Sequence, residues 1–146
     1  MIDDLKTVHR VFLGLGANLG DRERHLNEAI RLIGERVGQV TRQSTFIETE
    51  PWGFQSEHQF MNAAILCLTE KTPREVLQVT QEIERELGRK TKTKPSRHAS
   101  YTDRPIDIDI LLYDDLTVDD PDLKIPHPLM YERDFVMIPL KQITNS

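Results

Sequence analysis

Arg104-Pro105-Ile106-Asp107-Ile108-Asp109-Ile110-Leu111-Leu112-Tyr113 is the stretch that decides how the rest of the chain is read. It alternates like a strand. Ile106, Ile108 and Ile110 point to one face, Asp107 and Asp109 to the other. Continuing that alternation puts Leu111 and Tyr113 on the face of the aspartates, so the two carboxylates interrupt a surface otherwise fit for burial. Carboxylates two residues apart on a strand stand roughly 6.5–7 Å from each other at Cβ. Left unpaired they repel, and one tends to stay protonated. A hard cation between them removes that conflict, and oxygen ligands suit Mg²⁺. A half-buried strand with one wet face would alternate in the same way. The apolar flanks at Leu111 and Tyr113 favour a cation site instead, because buried carboxylates require pairing or a metal.

Working outward, the 146 residues suit a single domain, 1–146, with its own core. Hydrophobic residues make up 38% of the chain and charged residues 29%, a globular balance that argues against disorder. The net charge of −5 argues against general binding of nucleic acid. Cys67 is the one cysteine; it lies in the apolar run 63–68 and reads as a buried thiol in a reducing compartment. Met1 to Arg10 holds no signal-like apolar core, and no apolar run reaches spanning length. A cytoplasmic chain without a membrane partner is expected, and a monomer by default.

In order, Val8 to Gly16 starts as a strand and runs into Gly14-Leu15-Gly16-Ala17-Asn18-Leu19-Gly20. The GxGxxxG spacing is not a dinucleotide fingerprint, and a tight strand-to-helix turn is expected there. Asp21 can cap a helix whose buried stripe is Leu26, Ile30, Ile33 and Val37, with Gly38 as its stop. Val40 to Glu48 reads as one strand. Trp52 and Phe54 sit on a loop beside Thr49 and Gly53, either as core plugs or as a stacking surface for a flat ligand. Gln59 to Glu70 is the next strand, and Asn62 inside it must find hydrogen-bond partners in the backbone or in a ligand. Thr72-Pro73-Arg74-Glu75 is a capping box that opens a helix with the stripe Val76, Thr80, Ile83 and Leu87, ended by Gly88. Gln81 and Glu84 flank that stripe, and their spacing alone suggests a solvated helix face.

Residues 89–104 carry six basic side chains against Asp103 alone. Such a basic loop in an acidic protein is either a solvated strap or a phosphate-gripping lid beside the aspartates. Asp114-Asp115 and Asp119-Asp120-Pro121-Asp122 read as acidic turns without the spacing of a calcium loop. Pro126 and Pro128 restrict the backbone on either side of His127. Met130 to Arg133 suggests one helical turn, and Phe135 to Leu140 an apolar packing segment. The strand–helix–strand order occurs twice. A ferredoxin-like βαββαβ sandwich of the α+β class is expected, with both helices on one sheet face and the other face open.

Five motifs fall in the order of a known family: Leu13 to Gly20, Phe60 to Ala64, Glu84 to Arg89, Arg104 to Ile110, and Ile125 to Pro128. Together they resemble the 6-hydroxymethyl-7,8-dihydropterin pyrophosphokinases of folate biosynthesis, from about Val8 to Ile143. The resemblance implies transfer of the pyrophosphoryl group of ATP to the pterin hydroxymethyl oxygen, with release of AMP. It implies two Mg²⁺ ions held by Asp107 and Asp109, and phosphates gripped by Arg89 and Arg104. It implies an ATP site lined by Gln81, Glu84, Ile110, His127 and Arg133. The pterin pocket it implies comprises Thr49, Trp52, Gly53, Phe60, Asn62 and Phe135, with Asp107 touching the pterin side and the two phenylalanines sandwiching the ring. A ligand-sensing module of the same fold, or another Mg²⁺-dependent transferase, are the competing readings. Dependence on the aspartates separates the first from the enzyme, and affinity for a reduced pterin separates the second.

Overall fold

The computed structural model describes residues 7–49, 60–88 and 105–144. Thr7 leads into β1 (His9–Ala17), followed by α1 (Arg22–Arg36), β2 (Gln39–Gln43), β3 (Ile47–Thr49), β4 (Phe60–Thr69) and α2 (Pro73–Leu87). Then come β5 (Asp107–Tyr113), a hairpin of β6 (Val118–Asp120) and β7 (Leu123–Ile125), a 3-10 turn (Met130–Glu132) and α3 (Asp134–Thr144). The main sheet has the order β2-β4-β1-β5, with β3 also paired to β4, and the pairings are antiparallel. This is the ferredoxin-like α+β arrangement the sequence leads one to expect.

The helices form where the capping chemistry directs them. Asp21 accepts a hydrogen bond from the Arg24 backbone N–H at 3.2 Å and starts α1. Leu26, Ala29, Leu32 and Ile33 form its buried face. Thr72 and Glu75 complete a reciprocal capping box with Pro73 just inside α2. Val76, Thr80 and Ile83 are buried as the period of the sequence requires. Both helices pack on one face of the sheet. Their side chains meet Val11, Leu13, Leu15, Ile65, Cys67, Ile106, Ile108 and Ile110 there. Burial in that core pushes the Cys67 thiol up to about 11, as befits a packing residue rather than a nucleophile.

Several expectations are corrected. The second face is not fully open: α3 covers part of it, packing Leu140 and Ile143 with Phe12, Ala64, Leu66, Leu111 and Met130. The apolar stretch after Arg133 is therefore a third helix. The strand expected over 40–48 is broken between β2 and β3. Ser44 sits in the break, buried, donating its N–H to the Ala64 carbonyl while its hydroxyl accepts from the Ala64 N–H. Gln142 of α3 caps the neighbouring Thr45 N–H at 2.8 Å. Gly14 and Gly16 lie within β1, not in a turn; Gly20 alone of the three takes the left-handed conformation, with φ +65°. Finally, a register shift between Phe12 and Leu13 leaves Leu111 as an extra residue in β5. Leu111 keeps the face of the aspartates, but Tyr113 turns to the α1/α2 core. There its ring is buried and its hydroxyl donates to the Lys71 carbonyl.

The acidic segment after β5 is only partly turn. Asp119 and Asp120 belong to β6. Arg74 of α2 pairs with Asp120 at 2.7 Å and Asp122 at 2.9 Å, so the β6–β7 hairpin is tied to the start of α2. Among the described residues no helix is long and apolar enough to cross a membrane.

Candidate active site

The pairing registers draw a small grid on the α3 face. One row runs Leu66–Phe12–Leu112, the next Ala64–Gly14–Asp109, and the third Asn62–Gly16–Asp107. Along β1 the side chain on this face shrinks from Phe12 to nothing at Gly14 and Gly16. The first row is covered by α3, while the third presents a buried amide and a half-buried carboxylate on either side of bare backbone. A side chain at Gly16 would crowd that gap: an added Cβ would stand 2.9 Å from Asn62 Oδ1 and 3.6 Å from the Phe60 ring. At Gly14 an added Cβ would meet Leu111 at 3.3 Å. Both glycines have ordinary strand backbones, so their role is space rather than conformational freedom. The signal was present in the sequence as two glycines at alternate positions of a strand with leucines between them.

Asp107 and Asp109 share this face, half-buried, as expected. Ile110 does not: its side chain is in the α1/α2 core, so only its backbone could meet a ligand. Asn62 is 5% exposed and adjoins the row through Gly16. Phe60, half-buried at the start of β4, lies over the same glycine.

His127 approaches the aspartates from beyond β7. Its backbone N–H donates to the Leu111 carbonyl at 3.1 Å, which fixes it against the outer edge of β5. Its ring is half-buried, and Nδ1 is enclosed with no hydrogen-bond partner among the described residues. Burial, seconded by the positive charge of Arg133, lowers its pKa, while Asp107 opposes the shift. The imidazole is thus held towards its neutral form, with one ring nitrogen a donor and the other an acceptor. Arg133 is itself 9% exposed, and its guanidinium carbon lies 5.6 Å from the centre of the Phe135 ring. A connected set results: Phe60 and Asn62 beside Gly16, Asp107 across from it, His127 within electrostatic reach of both Asp107 and Arg133, and Phe135 beneath Arg133.

Glu84 departs from the solvated position its spacing suggests. It is 7% exposed and accepts the backbone N–H of Ile108 at 2.7 Å. Gln81, one turn earlier on α2, is exposed. Trp52, Gly53, Arg89, Arg104 and the whole basic loop lie outside the described residues, as does the side chain of Thr49.

The donor set can be tested against Mg²⁺. Two carboxylates on one strand face, half in solvent, suit an ion that takes one or two carboxylates and completes its shell with phosphate and water. No group of three or more His, Cys, Asp or Glu side chains able to hold a metal occurs among the described residues. A pair of this kind suits a metal that arrives with phosphates better than one held in a closed protein cage.

Comparison with known proteins places this geometry in a family. The family model for 7,8-dihydro-6-hydroxymethylpterin-pyrophosphokinase (HPPK) matches residues 12–145. A 2-amino-4-hydroxy-6-hydroxymethyldihydropteridine pyrophosphokinase of Porphyromonas gingivalis is 49% identical over 134 residues, covering 91% of this chain and 89% of that protein. Its counterpart in Bacillus subtilis is 40% identical, covering 92% and 78%. A solved HPPK-DHPS structure in complex with substrates shares the fold at a TM-score of 0.70 and 14% identity. It covers 94% of this chain, which spans 40% of that longer chain. The chain belongs to the HPPK family of pyrophosphokinases.

Proposed function

We propose that this enzyme transfers the pyrophosphoryl group of ATP to the hydroxymethyl oxygen of 6-hydroxymethyl-7,8-dihydropterin, giving the pterin diphosphate and AMP. The family membership supports the reaction class. The observation that carries the site assignment is the row Asn62–Gly16–Asp107, with Asp109 one row away. It sets an amide with both donor and acceptor beside a gap floored by backbone, and carboxylates at the far side. A flat heterocycle fits such a gap, with its edge on Asn62 and its ring against Phe60. Phe135 would provide the opposing ring, and Thr49, Trp52 and Gly53 the remainder of the pocket.

Asp107 and Asp109 would hold Mg²⁺, most simply two ions. When bound, the metal neutralises and polarises the phosphate oxygens. The remaining work belongs to the chain. Transfer between two oxygens needs alignment and charge stabilisation more than covalent chemistry. Asp107, beside the pterin row, ties the orientation of the acceptor to that of the phosphates. Arg133 supplies fixed positive charge near the nucleotide, and the enclosed Nδ1 of His127 supplies a hydrogen-bonding position there. Gln81, Glu84 and Ile110 belong to the same nucleotide side by resemblance. Arg89 and Arg104 would grip the phosphates from the basic loop. No side chain is assigned as a general base. A monomer acting in the cytoplasm is the expected setting.

The test is Asp109→Ala, assayed for AMP release with ATP, Mg²⁺ and the hydroxymethyl pterin. Turnover should fall on the order of 10²-fold or more, with an unchanged far-ultraviolet spectrum. Near-wild-type turnover would remove the metal assignment.

A further inference from the structure

β5 lies at the end of the path β2-β4-β1-β5, yet it carries both aspartates. On its inner side it is registered to β1 through Gly14 and Gly16. Among the described residues no strand pairs with its outer backbone groups, and a buried N–H without a partner is costly. At Ile108, between the two aspartates, that N–H is taken by Glu84 Oε2 at 2.7 Å. Glu84 rises from the opposite face, from α2, and is 7% exposed, so it acts on the strand in a place where little water competes. Three residues on, the His127 N–H takes the outer carbonyl of Leu111. The outer edge of the strand is thereby gripped between its carboxylates and again two residues past Asp109.

We propose that Glu84 is a positioning residue for the carboxylate pair. By fixing the Ile108 peptide it sets the pitch of the strand at Asp107 and Asp109, and with it the spacing and direction of the two carboxylates. The inference deepens the reading of that pair as Mg²⁺ ligands and rests on it. It separates two roles that the position of Glu84 could serve. A side chain that contacts the nucleotide acts through its charge. A side chain that clamps a backbone N–H acts through the reach of an acceptor oxygen.

The two conservative variants therefore divide the possibilities. Glu84→Gln keeps the length and an acceptor oxygen but loses the charge. Glu84→Asp keeps the charge but is one methylene too short to reach the Ile108 N–H. The readouts are hydrogen exchange at the Ile108 amide, Mn²⁺ affinity measured by electron paramagnetic resonance with a non-hydrolysable ATP analogue, and turnover. Thermal stability is recorded separately, and all comparisons are made well below the unfolding range. Glu84→Asp should speed exchange at Ile108 and weaken Mn²⁺ binding and turnover roughly 10- to 100-fold, the usual effect of losing a group that orients a metal ligand. Glu84→Gln should keep exchange at Ile108 close to that of the parent protein, and should lose less Mn²⁺ affinity and less turnover than Glu84→Asp. The reverse order, or an Asp variant with unchanged Mn²⁺ affinity, would overturn the inference. Asp109→Ala serves as the control: if it lowers Mn²⁺ affinity while Glu84→Asp does not, the metal reading stands and the positioning role falls. If Asp109→Ala leaves Mn²⁺ affinity intact, both fall together.

Discussion

The two faces of the sheet are built from the same strands and do opposite things. On the α1/α2 face β1 contributes Val11, Leu13, Leu15 and Ala17, all at or below 3% exposure, and β5 contributes Ile108, Ile110 and Tyr113, with Ile106 just before it. Every position is filled, so the face is a core and nothing else. On the α3 face the same strands contribute Phe12, Gly14 and Gly16, and Leu111, Asp109 and Asp107. Apolar bulk runs out partway along, and polar groups take over where it stops. Stability is concentrated on one side of the sheet, and chemistry on one half of the other. Because β1 and β5 serve both, a side chain change on one face should be separable from a change at the neighbouring residue on the other.

The largest effect expected from that contrast is the loss of turnover in Asp109→Ala already described. Next comes Gly16→Val. Its backbone can accept valine, but the side chain would occupy the gap beside Asn62 Oδ1. Affinity for the pterin should fall about 10- to 100-fold in a calorimetric titration, the range for displacing a buried hydrogen-bonding group. Unaltered affinity would mean that the row is not the pterin floor. Ile65→Ala probes the other face, where it is fully buried. It should cost roughly 2–5 kcal/mol in denaturant unfolding and leave turnover per folded molecule unchanged. A selective loss of activity there would blur the division between the faces.

The smallest effect concerns His127. Its pKa is lowered in the folded protein, so folding favours the neutral ring. The stabilisation this represents is present above the ordinary histidine range, about pH 6.5, and is lost as pH falls through the lower folded value. In acid unfolding, the parent protein should lose stability across that window more steeply than His127→Gln. Parallel curves would show that the ring is not held neutral.

Much of this was legible in the sequence because local chemistry and global fold agree. Thr72-Pro73-Arg74-Glu75 starts a helix by capping alone, and the stripe from Val76 to Ile83 needs only one apolar face. The Asp-Ile-Asp alternation placed both carboxylates correctly on one side. Tyr113 was misplaced because the extra residue at Leu111 is set by pairing with β1, which no local pattern reports. Spacing alone suggests a solvated Glu84, because a helical period cannot reveal that the N–H of an edge strand lies beside it. Gly14 and Gly16 looked like a turn because glycine usually marks one; their use as empty positions depends on the neighbours Asn62 and Asp107 across the sheet. The break at Ser44 and the covering helix α3 were hidden for the same reason, since each is decided by what packs against it.

The most direct test of the central claim is AMP release measured with ATP, Mg²⁺ and 6-hydroxymethyl-7,8-dihydropterin together, and with each omitted in turn, on the parent protein and on Asp109→Ala. The polar half of the α3 face, if it aligns both substrates on the carboxylate pair, predicts AMP only from the complete mixture and only from the parent protein. AMP formed at a similar rate without the pterin, or by Asp109→Ala, would contradict it.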